Sequence, residues 1–190
     1  GIFLSIIALV LLIIKAVQQD NIWMMISFPI FGVSLILLYL ASTLYHASKE
    51  PQKRFKLKVF DHAAIYVLIA GSYTPFTLVS LNGETGWLIF SMVWVMAFTG
   101  IILKLFFTGR FKVISTAMYV LMGWLIVFYF QDLTAHLHEK GVFYLILGGV
   151  LYTIGAILYS IKKIKFNHAI FHFFVLAGSF CHFLSIYLYV

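Results

Sequence analysis

The sequence predicts an all-α fold: a bundle of seven transmembrane helices with a cytoplasmic N-terminus and an extracellular C-terminus. Three observations predict it. The 190 residues are 63% hydrophobic and 10% charged, with a mean hydropathy of +1.05; an ordinary soluble domain is about 45–50% apolar and about 25% charged. The apolar residues form continuous runs rather than alternating ones, which selects helices over a β-barrel. The basic residues gather on every second break between those runs, as they do in a multi-pass chain.

A helix that crosses a bilayer needs roughly 20 apolar residues. Reading for that length places spans near residues 2–17, 22–46, 59–81, 86–107, 113–131, 141–161 and 168–189. "KAVQQDN" closes the first span and "SKEPQKRFKLK" the second. "LNGETG" separates the third from the fourth, "FTGRFK" the fourth from the fifth, "QDLTAHLHEKG" the fifth from the sixth, and "KKIKFN" the sixth from the last. Every break is short, so residues 1–190 read as a single transmembrane domain. Pro29 and Pro75 fall inside spans, where each is expected to kink its helix or free a backbone carbonyl. Trp23, Trp87 and Tyr144 lie near span ends and read as interface anchors.

The charges set the orientation. The second, fourth and sixth breaks, with the adjoining end of the fourth span, hold Lys49, Lys53, Arg54, Lys56, Lys58, Lys104, Arg110, Lys112, Lys162, Lys163 and Lys165; the other breaks hold Lys15 and Lys140. That asymmetry puts the even breaks in the cytoplasm. The net charge of +7 then reads as topology and as contact between basic loops and anionic lipid headgroups, with no role in nucleic-acid binding. Lys104 is expected to snorkel to the cytoplasmic interface. The single cysteine, Cys181, excludes an intrachain disulfide. A retinal protein needs a lysine in its last helix, and residues 168–190 contain none. A G-protein-coupled receptor would need the opposite orientation.

With this orientation, polar groups far apart in sequence come to one depth. His168 and His172, in "NHAIFH", open the last span four residues apart, so both lie on one helix face. His46, in "ASTLYHAS", ends the second span, with Ser42 one turn deeper on the same stripe. Asp61, in "FDHAAIYV", opens the third. Interfacial histidines often do no more than form hydrogen bonds, and one pair is weak evidence for a metal. Three imidazoles with a carboxylate at one level are different, because ionisable groups in a membrane are costly. The set matches a Zn²⁺ site with three protein ligands and an open fourth position. Asp61 could hold or deprotonate a water there, and Ser42 suits a supporting or oxyanion role. His62 points about 100° away from Asp61 and reads as interfacial. His182 lies about 15 Å beyond His172, too deep for the same ion, and reads as a packing residue. His136 and His138 read as solvated loop residues.

At these residues the sequence resembles the hemolysin III family, the bacterial branch of the progestin and adipoQ receptors; more distantly it is similar to the alkaline ceramidases. "STLYH", the aspartate of "DHAAIYVLIAGSYTPF", and "HAIFH" carry the resemblance. It implies a bacterial plasma-membrane protein of seven spans. It also implies that His46, His168 and His172 bind zinc, that Asp61 contacts the zinc-bound water, and that Ser42 lies beside it.

Three functions are expected to compete. The first is zinc-dependent hydrolysis of a membrane lipid amide or ester, with Asp61 and Ser42 as the catalytic groups. The second is a non-enzymatic sensor of lipid or membrane state, with zinc as a structural staple. The third is a membrane-lytic or pore-forming protein; a pore would want polar stripes through several helices, and spans one, four and six offer few polar side chains.

Overall fold

A computed structural model describes residues 1–107, 112–161 and 163–190. Arg110 and Lys162, two of the basic residues used above to assign orientation, lie outside the described residues, as does most of the "FTGRFK" break. Every regular element described is helical. The α-helices are α1 (Ile2–Gln18), α2 (Ile22–Ala47), α3 (Pro51–Pro75), α4 (Gly83–Phe107), α5 (Lys112–Gly123), α6 (Phe130–His136), α7 (Glu139–Ser160) and α8 (Asn167–Tyr189). A π-helical turn, Phe76–Leu81, follows α3, and a 3₁₀ segment, Leu125–Tyr129, precedes α6.

Among the described residues, six stretches are long and apolar enough to cross a membrane: Ile22–Ala47, Pro51–Leu81, Gly83–Phe106, Ile114–His136, Glu139–Ser160 and Asn167–Tyr189. Helix α1, at 17 residues, is a shorter apolar helix. Large apolar side chains such as Phe3, Phe106, Phe128 and Phe173 are exposed, as expected where the surrounding medium is hydrocarbon rather than water.

The helix bounds depart from the expected spans where charge was read as a break. Residues 51–58 are helical: Pro51 occupies the first turn of α3, where its fixed φ and missing N–H are tolerated. The lysines, arginine and glutamine that follow are good helix formers. The expected single span 113–131 is interrupted after Gly123, passes through 3₁₀ geometry, and resumes as α6 up to His136. Pro75 ends α3, and the wider π turn begins at the next residue; a proline removes the N–H that an α-helical ladder requires. Helix α2 runs through Pro29.

The chain groups into two compact units, Gly1–Met122 and Gly123–Val190. In the first, α1 packs on α2, α2 on α3, and α3 on α4. Asn21 starts α2 by accepting from the backbone N–H groups of Trp23 at 2.9 Å and Met24 at 3.2 Å, a standard cap. Gly71 lets α3 approach α2 closely: a Cβ there would lie 2.5 Å from Ser34 Oγ. Trp23 and Trp87 meet edge to face at 5.6 Å.

Lys104 does not reach outward. It is buried, with Nζ 2.6 Å from Ser115 Oγ and 5.9 Å from the centre of the Tyr119 ring. The Tyr119 hydroxyl in turn donates to the His62 carbonyl at 3.2 Å. The Ser115 hydroxyl and the face of the Tyr119 ring meet the ammonium inside the unit, which offsets part of the cost of taking it from water.

In the second unit α7 packs along α8. Gly141, Gly148 and Gly155 recur every seventh residue on the buried face of α7. Small residues at this spacing let two membrane helices pack with backbones close. The ring of His182 fills the space opposite Gly148 and stands edge to face with Tyr152 at 5.3 Å. Ser185 donates to the Gly141 carbonyl at 2.7 Å, and Tyr152 shares a hydrogen bond with Ser179 at 2.8 Å. Between α7 and α8 the chain reverses at Phe166, in the left-handed region at φ 61°.

Candidate metal centre

Helix α8 opens with the two histidines, and three features fix them there. Asn167 donates from Nδ2 to the carbonyls of Tyr159 at 3.1 Å and Ile161 at 3.4 Å. The Tyr159 carbonyl lies in the last turn of α7, where intrahelical N–H partners run out, and Ile161 follows as the residue just past the helix. The bond therefore ties the start of α8 to the end of α7. Tyr159 and Phe171 then flank His168, with ring centres 5.4 and 6.4 Å from it. Finally, the four-residue spacing stacks His168 and His172 one turn apart. Their rings stand at 82° with centres 4.6 Å apart, and the two Nε2 atoms are 3.0 Å apart.

Two imidazole nitrogens facing each other at this distance are satisfied in either of two ways. One Nε2–H donates to the other, or both lone pairs face one cation. Two nitrogens on a tetrahedral Zn²⁺, each at about 2.0–2.1 Å, are about 3.3 Å apart. The observed pair, at 3.0 Å, is a hydrogen-bond distance and a few tenths of an ångström short of that spacing.

His46 lies in the last turn of α2 and is exposed. Its ring leans on Tyr45, with centres 4.7 Å apart. His46 belongs to the first compact unit, and the paired His168 and His172 belong to the second. All three are residues of metal-ligand type. The donor set is all nitrogen and neutral, which suits zinc and other borderline transition metals rather than magnesium or calcium.

Ser42 sits one turn before His46 on α2, and Asp61 lies on α3; both are half-buried, and their side chains are hydrogen-bonded to each other. His62, next to Asp61, turns elsewhere: its Nδ1 pairs with the Lys58 carbonyl at 2.7 Å. His182 is buried within the α7–α8 pair as a packing residue. His136 and His138 are exposed; His138 caps α7 by accepting from the Lys140 N–H at 3.2 Å.

The sequence reading picked out the three histidines. It missed the ring cage of Tyr159 and Phe171 and the cap made by Asn167. Only the position of Asn167, one residue before His168, could have signalled the cap. The aromatic cage had no sequence signal that separates it from other apolar residues.

Fold and site define a multi-pass helical membrane protein carrying three histidines of metal-ligand type. It belongs to the haemolysin III family: the family described as "Haemolysin-III related" matches residues 1–183. The chain is 48% identical over its full length to the "Hemolysin-3 homolog" of Bacillus subtilis, covering 89% of that protein. It is 45% identical over its full length to "Hemolysin-3" of Bacillus cereus, covering 87%. It is also similar, at 28% identity over 90% of the chain, to the human "Monocyte to macrophage differentiation factor", of which 74% is covered. The protein is a multi-pass protein of the bacterial cell membrane.

Proposed function

We propose that this protein binds Zn²⁺ through His46, His168 and His172 and hydrolyses an amide or ester of a membrane lipid. The observation that carries the reading is the His168–His172 pair, whose Nε2 atoms face each other at 3.0 Å. Ionisable side chains are rare in membrane-spanning helices and are usually functional there.

When bound, zinc supplies Lewis acidity to a carbonyl and to water. The chain's own residues do the rest. His46, His168 and His172 would hold the ion through neutral imidazoles, which would not offset its positive charge. Asp61 offers a carboxylate oxygen that takes up a proton. Ser42 orients that carboxylate by donating its hydroxyl hydrogen to it. Once Asp61 carries a proton, it donates to Ser42 Oγ instead. The serine hydrogen is then released to stabilise a developing oxyanion. A substrate with long acyl chains reaches the site from the lipid layer. By this reading the chain crosses the membrane seven times, with α1 as the first crossing, its N-terminus in the cytoplasm and its C-terminus outside.

A second reading comes from the names of the Bacillus relatives, which point to membrane lysis. A third keeps the zinc as a staple in a non-enzymatic lipid sensor. The test is product release: purified protein, loaded with zinc in lipid vesicles, is incubated with amide- and ester-linked lipids, and freed fatty acid is measured by mass spectrometry. Hydrolysis predicts release by the native chain and release at least about a hundredfold slower by Asp61→Asn. Dye leakage from the vesicles without lipid cleavage would favour lysis instead; neither release nor leakage would favour the sensor.

A further inference from the structure

Where α2 turns into α3, the surface has a groove of about 320 Å³ lined by Tyr45, Lys49, Pro51, Arg54, Phe55 and Lys58. Three of these six side chains are cations and none is an acid. The guanidinium of Arg54 lies 5.5 Å from the centre of the Tyr45 ring. Stacking on an aromatic face holds an arginine in place without using its hydrogen-bond donors. Phe55, on the rim, is exposed.

We propose that this groove binds the phosphate of an anionic membrane phospholipid. Arg54 presents a planar fork that matches two phosphate oxygens, and Lys49 and Lys58, which also line the groove, add point charges. The Tyr45 hydroxyl is a further donor. The occupant is a membrane lipid because of where the groove lies. It joins the ends of two stretches long enough to cross a bilayer, which is the level of lipid headgroups. The exposed Phe55 ring gives apolar contact to the glycerol and upper acyl chain beside the phosphate. This inference does not depend on the metal.

The test is native mass spectrometry of the full chain in detergent, with phosphatidylglycerol, phosphatidylcholine or inorganic phosphate added. The native chain is expected to retain phosphatidylglycerol over phosphatidylcholine. Arg54→Gln/Lys58→Gln is expected to weaken that retention about tenfold, as the loss of two charge-assisted contacts should. Arg54→Lys, which keeps the charge at an exposed position, is expected to weaken it several-fold because the fork is gone. Lys163→Gln/Lys165→Gln removes the same charge elsewhere and is expected to change little. Equal loss in the two double variants would overturn the proposal in favour of diffuse attraction. Retention of inorganic phosphate as tight as that of the lipid would overturn the lipid assignment. Loss of lipid in His168→Ala/His172→Ala would place the lipid on the histidines instead of the groove.

Discussion

The Ser42 side chain on α2 is hydrogen-bonded to that of Asp61 on α3, and neither residue belongs to the histidine group. A division of labour follows, with the histidines holding metal and this pair handling protons. Asp61→Asn should lower turnover by about 10²–10⁴-fold, the usual worth of a general base, while zinc is retained. His46→Ala should lose both. Zinc content and fatty-acid release, measured on the same preparations, check this. Metal loss in Asp61→Asn as severe as in His46→Ala would contradict the division.

Ser42→Ala should have a smaller effect than Asp61→Asn, because the carboxylate remains and loses only its orienting partner. The expected loss in turnover is about 10–100-fold, typical of groups that support a metal site from outside its ligand set. The measurement is kcat against KM: an orienting role lowers kcat and leaves KM near its native value. A change confined to KM would place Ser42 in substrate binding.

Chelation should destabilise the protein. A ligand bound to the native state alone stabilises it by about 2.7 kcal/mol when its free concentration is 100 times Kd. Stripping zinc from the native chain is therefore expected to lower the thermal midpoint by several degrees. His168→Ala/His172→Ala should melt at the same temperature with or without chelator. An equal response in both would mean that the chelator acts somewhere other than on these histidines.

Packing along α7 gives a prediction free of any metal. A side chain at Gly148 would run into the His182 ring, whereas a methyl at Gly149 would meet Trp124 at an ordinary 3.6 Å. Gly148→Leu should lower stability by about 1–3 kcal/mol or more, the usual cost of overpacking. Gly149→Ala should be neutral or slightly stabilising, since alanine favours a helix over glycine by about 1 kcal/mol. Thermal melts of the two variants compare them directly.

The helical class was legible because unbroken apolar runs leave few other solutions for the backbone in lipid. The histidine group was legible because the i, i+4 spacing fixes His168 and His172 on one face whatever their surroundings. Helix ends were less legible. Lysine and arginine mark a membrane boundary but do not stop a helix, so α3 runs through residues read as a break. The interruption after Gly123 was missed, because one glycine within an apolar run resembles many that do not interrupt a helix. Lys104 was misplaced because its partners, Ser115 and Tyr119, come from a different helix. Contacts of that kind have no local sequence signature.

The central claim is that the histidines hold zinc. The most direct test is elemental analysis by mass spectrometry of detergent-purified protein, native beside His168→Ala/His172→Ala. The account predicts close to one zinc per native chain and almost none in the double variant. A native chain that takes up no metal even when zinc is supplied, or a double variant that keeps it, would contradict the account.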